Sequence, residues 1–486
     1  MKAALLLLAG ASAAAPAPEP PRAAASVTIL YLADLGGQLE PCGCSADQRG
    51  GLPRLAALVA RLRRENPGAL LVAGGDLLFE GPLDPERREV ALVRARAAAA
   101  ALRGMGLAAT VAGERDLAAG EAFLRGSRLP FGETRRVGVV GLGVPGKVPA
   151  APLRVALVHR GGTREAAPLA AALRAEGVDL VLAAHREALT DDDVNRALLG
   201  GPVPVVQVQS RGQSLARIDV RLAGDRARGF AVLEGPAQRE EEIDLAEQRA
   251  AEYRRRAAAA HADGSEELAR ALAAKVDELL ERARALRQAP LPEPPADRPS
   301  LTVSFLPVTQ DLPEDPAVRR IVDRAHAAAA RADLAAARAG RRPCPAPAPG
   351  APVHVGLAAP APGAARSCRE CHPAAWAQWR STPHARAYAT LEKRRRQLDL
   401  DCVACHVTGW REPGGACGVD RVAGREDVQC EACHGPASLH AADPPGHILR
   451  EPPEERCRAC HTPEHSTRFE PRSYRKRVLG PGHGAP

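Results

Sequence analysis

One five-residue pattern, Cys-x-x-Cys-His, occurs four times between residues 368 and 461 and constrains the chain more than any other feature. The copies are CRECH, CVACH, CEACH and CRACH, which begin at Cys368, Cys402, Cys430 and Cys457. The chain has 12 cysteines, and two thirds of them lie in these copies. Whatever this region folds into must therefore hold four similar units of two thiols and one imidazole.

Three kinds of site use paired cysteines, and only one explains the adjacent histidine. A disulfide would leave the histidine without a role, and a zinc ribbon would need cysteine pairs that close one tetrahedral site. Haem c uses all three residues, because the thiols form thioether bonds to the haem and the histidine binds the iron. The sequence therefore predicts four covalently bound haem c groups. Their attachment residues are Cys368, Cys371, His372, Cys402, Cys405, His406, Cys430, Cys433, His434, Cys457, Cys460 and His461.

The composition around the four motifs agrees with bound haem. The region has few aliphatic runs, which is too little for an ordinary core at this size. All three tryptophans of the chain, Trp376, Trp379 and Trp410, lie here, as expected for flat side chains that pack on flat cofactors. Four porphyrins would supply the apolar volume that the side chains lack.

The second axial ligand decides between an electron carrier and an enzyme. The only methionines are Met1 and Met105, so methionine ligation is excluded within this region. Three or four distal histidines for four irons leave room for one five-coordinate haem, which could bind a substrate. The sequence does not assign distal ligands to irons, and His483 in the GPGHGAP tail is expected to be disordered. The distal candidates are His384, His440, His465 and His447.

The segments CRECHPAAWAQWRSTPHARA, CVACHVTGW, VQCEACHGPASLH and CRACHTPEHSTRF resemble the tetrahaem cytochrome c-554 family over residues 366–470. The resemblance implies a mostly helical fold around closely stacked haem pairs. It also implies electron transfer in the periplasm between redox partner proteins. The proximal iron ligands that it implies are His372, His406, His434 and His461.

The first half of the chain alternates short apolar runs with amphipathic stretches, which predicts a layered α/β domain over residues 27–234. The amphipathic stretches include LPRLAALVARLRREN. The predicted buried strands are SVTILYL, ALLVAGGD, LAATVAG, RVGVVGLG, LRVALVH, VDLVLAA and PVVQVQS.

This domain resembles the calcineurin-like metallophosphoesterases, in particular the 5′-nucleotidase branch. The family motifs DxH, GD, GNH, a lone His and GHxH read here as ADLGG, GGD, AGERD, LVHRGG and AAHRE. The resemblance implies metal ligands at the carboxyl ends of strands. The matching candidates for one divalent metal are Asp34, Asp76, Glu114, His159 and His185.

Four departures from the family motifs argue against a two-metal phosphatase. Gly36 replaces the first histidine, Glu114 the asparagine, Arg115 the catalytic histidine and Glu187 the last histidine. The domain is therefore expected to be inactive as a phosphatase. A single bound metal remains one alternative, and a metal-free domain whose histidines are satisfied by hydrogen bonds is the other.

The remaining segments complete the expected architecture of a multidomain α/β plus α chain. Residues 1–25 read as a secretory signal peptide, which indicates an oxidising, periplasmic destination. Residues 237–338 are expected to form a helical spacer with one strand, and 471–486 a tail. Residues 339–365, rich in proline, alanine and glycine, predict a linker in which His354 is exposed.

The four cysteines outside the motifs leave alternatives open. A disulfide between Cys42 and Cys44 would be strained, so a redox pair or a surface metal site is considered instead. Cys344 and Cys417 either pair with each other or stay free.

The net charge of +8 does not indicate a nucleic-acid-binding protein, because no basic stripe interleaves with aromatic residues. No apolar run is long enough to span a membrane. The sequence thus predicts a periplasmic electron carrier with four haems. The alternatives are a multihaem reductase or oxidase that acts on a small nitrogen or oxygen compound, and a phosphoesterase regulated by its haems.

Overall fold

The structure is a computed structural model, and it describes most of the chain. The described residues are 25–41, 48–131, 137–142, 153–159, 162–185, 195–201, 203–339, 344–357, 367–444, 447–462, 465–466 and 469–480. Residues 1–24 of the predicted signal peptide lie outside the described ranges, as do Cys42, Cys44, Glu187 and His483.

Two sheets form the N-terminal domain. The first has the strand order β10-β11-β9-β1-β2-β3, and the second has the order β4-β5-β6-β8-β7. The strands of the first sheet are β1 (Ala25–Leu32), β2 (Leu70–Ala73), β3 (Leu107–Thr110), β9 (Ser214–Leu222), β10 (Ala231–Val232) and β11 (Ser300–Pro307). Those of the second are β4 (Val137–Leu142), β5 (Leu153–His159), β6 (Leu180–Ala184), β7 (Arg196–Leu198) and β8 (Val205–Gln207).

The two sheets pack face to face because alternate residues of their strands are apolar on the inner side. Ile29 and Tyr31 of β1 meet Leu157 of β5 and Leu182 of β6 in one buried cluster. The neighbouring residues Leu30 and Leu32 point to the other face of the first sheet, as the two-residue period of a strand requires. This arrangement confirms the predicted α/β class.

Helices cover the outer faces of both sheets. On the first sheet lie α1 (Leu52–Glu65), α2 (Arg88–Gly104) and α7 (Pro316–Ala339), whose apolar residues share one core with Leu30. On the second sheet lies α4 (Gly162–Ala175). A short α3 (Glu121–Gly126) follows β3. The domain therefore has four layers, in the order helix, sheet, sheet, helix.

The region expected to be a spacer has two structural parts. Helices α5 (Pro236–Ala262) and α6 (Glu266–Gln288) form an antiparallel hairpin, which turns at Gly264, where φ is +76°. Strand β11 instead pairs with β9 inside the first sheet, and α7 packs on α1 and α2. This strand and helix are parts of the α/β domain, because their apolar faces are buried there.

Helix α6 buries an apolar stripe against α5. Leu272, Val276 and Ala283 are buried against α5, but the side chain of Leu268 is exposed. Leu268 faces away from α5, since its neighbour Ala269 is the residue that packs with Ala260 of that helix.

The C-terminal region consists of short helices joined by turns, as predicted. They are α8 (Cys368–Cys371), α9 (Pro373–Ser381), α10 (Ala387–Lys393), α11 (Leu400–Val403), α12 (Cys430–His434), α13 (Ser438–Ala442), α14 (Glu454–Arg458) and α15 (Pro471–Val478). The described buried apolar residues include one small cluster around Tyr388, Val403 and Val419. Apolar side chains alone therefore give this region a small core.

The segment 344–357 packs on the C-terminal region, although its composition predicts a linker. A disulfide joins Cys344 to Cys417. The carboxylate of Glu431 accepts hydrogen bonds from the backbone N–H groups of Val355 (2.9 Å) and Gly356 (2.7 Å). The expectation that His354 is exposed is wrong: it is 2% exposed, and its Nε2 contacts the carboxylate of Glu412. Composition could not show this, because the partners lie far along the chain.

Within the described ranges, no helix combines the length and the apolar character needed to cross a membrane.

Candidate functional sites

Four candidate metal ligands lie at one edge of the two packed sheets. Asp34 follows β1, Asp76 follows β2, His159 ends β5 and His185 follows β6. The strands that they follow are parallel within each sheet, so these ends meet at one edge. Asp34, Asp76 and His185 adopt left-handed backbone conformations, with φ of +49°, +50° and +92°. Such strained backbone concentrates at functional sites.

The side chains converge on a small volume. His159 Nε2 lies 3.3 Å from both Asp76 Oδ2 and Glu114 Oε2. His185 Nδ1 lies 3.0 Å from Glu114 Oε1 and 3.3 Å from His159 Nε2. One ligand atom from each of these four residues falls within 4.8 Å of every other. The structure thus brings the predicted residues together.

Asp34 sits beside this cluster rather than within it. Its Oδ2 accepts a hydrogen bond of 3.2 Å from the backbone N–H of His185, and its buried Oδ1 has no hydrogen-bond partner among the described residues. Burial raises the pKa of Asp34 to about 7, although the nearby charge of His159 lowers it. The desolvation of this carboxylate therefore outweighs the stabilisation that it receives from the positive charge of His159.

The charges in the cluster depend on one another. Burial lowers the pKa of His159, but hydrogen bonds with Asp76 and Glu114 and the negative charges nearby raise it to about 10. The hydrogen bond with His159 in turn holds the pKa of Glu114 at about 2. His159 is therefore a cation between carboxylates, and it occupies the electrostatic position that a metal ion could take.

Arg115 occupies the place of the family's catalytic histidine. Its Nε lies 3.3 Å from Asp76 Oδ2, and its backbone N–H donates to Asp76 Oδ1 at 3.0 Å. The backbone passes close by at Gly113, where an added Cβ would lie 2.0 Å from Asp76 Oδ1. Asp76 Oδ2 thus already faces a guanidinium.

These residues fit one metal ion and do not fit two. Two carboxylates and two imidazoles form a reasonable set of four donors for one divalent ion. The second ion would need donors where the chain has Gly36 and Arg115. The guanidinium supplies positive charge in that place instead.

The sequence interpretation missed Asp116, which organises the site. This fully buried carboxylate accepts hydrogen bonds from the backbone N–H groups of Leu77 (2.8 Å), Leu78 (2.9 Å) and Gly113 (3.1 Å). It thereby joins the loop of Asp76 to the loop of Glu114. The AGERD segment contained the signal, since an acidic residue in a glycine turn can bind backbone donors.

In the C-terminal region, two imidazole pairs face each other. The rings of His372 and His440 have centres 6.2 Å apart and planes that differ by 19°. The rings of His384 and His461 are also 6.2 Å apart, with planes inclined at 53°. Each pair combines a proximal candidate from a motif with a predicted distal candidate.

The proximal imidazoles are oriented by hydrogen bonds at Nδ1. His406 Nδ1 lies 2.5 Å from the carbonyl oxygen of Ala387, and His434 Nδ1 lies 2.6 Å from that of Leu449. A carbonyl partner requires Nδ1 to donate, which leaves Nε2 free to bind a metal. This is the orientation that an iron ligand needs.

The other two distal candidates are His465 and His447. Among the described residues, no contact places either imidazole opposite a motif histidine. His465 Nδ1 lies 2.6 Å from Thr462 Oγ1, next to the fourth motif. His447 is exposed and has a left-handed backbone.

The motifs adjoin one another in a definite order. Cys368 of the first motif lies near Cys430 of the third, and burial with this neighbour raises the pKa of the Cys430 thiol to about 12. The third motif adjoins the fourth, since burial and the neighbouring Cys457 both raise the pKa of the Cys433 thiol. The fourth motif adjoins the second, since the neighbouring Cys460 lowers the pKa of the Cys405 thiol to about 7.

Comparison with known proteins assigns a family likeness to this region. The family described as cytochrome c554 and c-prime matches residues 367–435. The C-terminal region resembles cytochrome c-554. The cytochrome c-554 of Nitrosomonas europaea is 31% identical over 140 residues, which covers 22% of this chain and 60% of that protein. The chain therefore spans less than two thirds of this relative. The likeness supports a multihaem c-type cytochrome and implies haem c as its cofactor.

Solved structures similar to this chain include phosphoesterases. A 5′-nucleotidase precursor from Thermus thermophilus is 14% identical, with a TM-score of 0.33, over 65% of this chain and 59% of that one. Sulfate thiohydrolase SoxB from the same organism is 15% identical, with a TM-score of 0.33, over 64% and 62%. The NAD nucleotidase of Haemophilus influenzae is 14% identical, with a TM-score of 0.29, over 41% and 48%.

Proposed function

We propose that this chain is a periplasmic cytochrome that carries electrons through four covalently bound haems. The observation that supports this most directly is the 6.2 Å separation of the two imidazole pairs. A metal–imidazole bond is about 2 Å long, so two rings on opposite sides of one iron have centres roughly 6 Å apart. The four CxxCH motifs supply the thioether sites.

The pairs assign an iron to two of the four distal candidates, His440 and His384. His372 and His440 would hold the first haem, and His461 and His384 the fourth. His406 and His434 would bind the second and third irons from the proximal side. When bound, each haem supplies a one-electron redox couple. The chain fixes the imidazole orientation through the hydrogen bonds at Nδ1 and surrounds the haems with short helices.

The adjacency of the motifs supports a path through the haems in the order first, third, fourth, second. Each step of this order corresponds to a neighbouring pair of cysteines, Cys368 with Cys430, Cys433 with Cys457, and Cys460 with Cys405. Electrons from one redox partner would enter at one end of this path and leave to another partner at the other end.

The haem count is tested by a pyridine haemochrome assay and intact mass on the full-length protein matured in a periplasm. We expect four haems per chain. The double variant Cys430→Ala/Cys433→Ala should bind three, since it removes only the third attachment site. Fewer than four haems in the unmodified protein would refute the proposed count. Fractionation of the expressing cells tests the periplasmic location at the same time.

The ligand assignment is tested by electron paramagnetic resonance. Loss of a distal imidazole leaves an open iron, so His440→Ala should convert one haem from low spin to high spin. The matched control is His447→Ala, whose exposed side chain has no described imidazole opposite it. Equal spectra of the two variants would contradict the pairing of His440 with His372.

The enzymatic alternative predicts a different spectrum for the unmodified protein. A reductase or oxidase of a small nitrogen or oxygen compound needs an open haem. Such a haem would give a high-spin ferric signal that shifts with nitrite, hydroxylamine or nitric oxide. A spectrum with low-spin signals alone supports the electron carrier.

We propose a second role for the N-terminal domain, as a site for one divalent metal without phosphoesterase activity. The unpartnered, buried Asp34 Oδ1 beside four converging donors favours this role. Hydrolysis of p-nitrophenyl phosphate with added manganese, abolished by Asp76→Ala, would instead establish the alternative of a haem-regulated phosphoesterase.

A further inference from the structure

The second haem motif lies directly against the N-terminal domain. Helix α11 contains Cys402, and the residues just before this cysteine contact α2. Arg94 of α2 lies with Nη2 3.3 Å from Asp399 Oδ1 and with Nη1 2.5 Å from Asp401 Oδ2. Arg87 forms a second ion pair with Asp401. Two arginines of the N-terminal domain thus form ion pairs with two carboxylates of the C-terminal region, next to the second haem motif.

Helix α7 extends this interface. Its Asp333, which is 2% exposed, accepts a hydrogen bond of 3.4 Å from the backbone N–H of Leu400. Leu334 and Ala337 of the same helix pack with Leu400 in the apolar cluster of the C-terminal region. Polar and apolar contacts therefore both fix α11 on the α/β domain.

Arg396 joins the two domains and also reaches the cysteine. Its Nη1 lies 3.2 Å from Glu40 Oε2 and 3.0 Å from His326 Nε2, which both belong to the N-terminal domain. Its Nη2 lies 2.6 Å from Asp399 Oδ2 and 3.7 Å from Cys402 Sγ. The thiol of Cys402 stands here for the thioether sulfur that would carry the second haem.

The guanidinium and its acidic partner keep their charges. Burial raises the pKa of Glu40, but His326 and Arg319 lower it to about 2. The side chain of Arg396 is 19% exposed and that of Glu40 27% exposed. Because charges removed from water are screened less than surface charges, both act strongly on a redox centre nearby.

We propose that the cation of Arg396 raises the reduction potential of the second haem, and that the anion of Glu40, in the N-terminal domain, lowers it. The inference rests on the proposed function, because it needs haem at Cys402. Reduction adds one electron to a haem, so a nearby cation stabilises the reduced form and a nearby anion destabilises it. The two residues should therefore act with opposite signs.

Redox titration of the full-length protein, followed by visible absorbance, tests this inference. Arg396→Gln should lower the midpoint potential of one haem component. Glu40→Gln should raise the midpoint of the same component, because it removes the anion and keeps the guanidinium. Arg396→Lys should retain most of the original midpoint, since it keeps the charge. The matched control is Arg395→Gln, at an exposed neighbouring position.

The sign reversal separates an electrostatic role from a structural one. A purely structural role would move both midpoints in the same direction or leave both unchanged, and either result overturns the inference. If Arg396→Gln fails to fold, Glu40→Gln alone decides, because an unmoved midpoint then overturns it. A haemochrome assay precedes each titration: too few haems in the unmodified protein would refute the proposed function, whereas four haems with unmoved midpoints would refute only this inference.

Discussion

The two halves of the molecule, the α/β domain and the C-terminal region, differ in how much apolar surface they bury. The α/β domain buries whole strands and helix faces, with Leu30, Leu71 and Leu102 fully inaccessible to solvent. The C-terminal region has short helices, turns and one small apolar cluster around Val403 and Val419. The comparison shows that an ordinary core specifies the first half, whereas the described apolar side chains of the second half form only a small core.

The largest expected effect is the loss of the C-terminal fold when haem is withheld. Protein produced without haem attachment should lose the protease resistance of residues 367–480, because the apolar volume of four porphyrins is missing. The α/β domain should remain folded. Limited proteolysis with mass spectrometry checks this. Equal protease resistance of both regions in haem-free protein would contradict the expected dependence of the C-terminal fold on haem.

A cavity in the α/β core should destabilise only the first half. Leu71→Ala should lower the free energy of unfolding of that domain by about 2–5 kcal/mol, because the side chain is fully buried. Urea unfolding followed by far-UV circular dichroism measures the change, while the haem absorbance should stay constant. The exposed Leu268→Ala should change stability by less than about 0.5 kcal/mol.

Metal binding should depend on the α/β domain alone, and a substitution at its candidate site should leave the fold of both regions unchanged. Glu114→Gln should weaken binding of manganese or zinc by at least about 10-fold, since loss of an outer-shell partner alone has effects of about 10- to 100-fold. Calorimetry on the full-length protein measures this, and the haem spectrum serves as the internal reference. Glu121→Gln, on the exposed surface of α3, is the control. Affinities that match in the two variants would exclude Glu114 as a ligand.

The smallest expected effect concerns the interface between the halves. The pKa values of Glu40 and Asp401 are lowered to about 2, so their stabilising contribution is complete above about pH 4.5 and is lost as the pH falls towards 2. Asp333 acts in the opposite sense, because burial raises its pKa to about 6 and its contribution is lost as the pH rises through 6.

The measurement for this interface is the free energy of urea unfolding at pH 5 and at pH 3. After allowance for solvent screening, we expect each lowered carboxylate to contribute about 1–2 kcal/mol to the difference. Glu40→Gln should therefore reduce the difference between the two pH values. An unchanged difference would show that ionised Glu40 does not stabilise the folded protein.

The sequence predicted local features of both halves better than their long-range contacts. All seven predicted strands are present, because continuous apolar runs identify buried strands. Strand β9 was missed, although Ile218 and Val220 lie at alternate positions, and β11 was assigned to a spacer. Membership of a sheet depends on pairing partners, and those of β11 lie about eighty residues away in β9.

The same difference between local patterns and long-range contacts applies to the candidate metal site and to the histidine pairs. The motifs named Asp34, Asp76, Glu114, His159 and His185, and the structure brings the last four together, with Asp34 beside them. The histidine pairs could not be derived, since His440 and His372 are separated by 67 intervening residues and no local pattern connects them. His354 was wrongly placed in solvent for the same reason: its contact with Glu412 is not visible in a segment rich in proline and alanine.

The disulfide between Cys344 and Cys417 has a consequence for how this protein is made. It encloses the first two CxxCH motifs within one covalent loop. With haem attached as proposed, the four cysteines of these motifs must stay reduced until the thioether bonds form. An early oxidation that paired Cys344 with any of those four would remove a cofactor attachment point. Productive biogenesis therefore depends on the timing of two competing thiol chemistries, and the yield of holoprotein should respond to the strength of the oxidant in the secretory compartment.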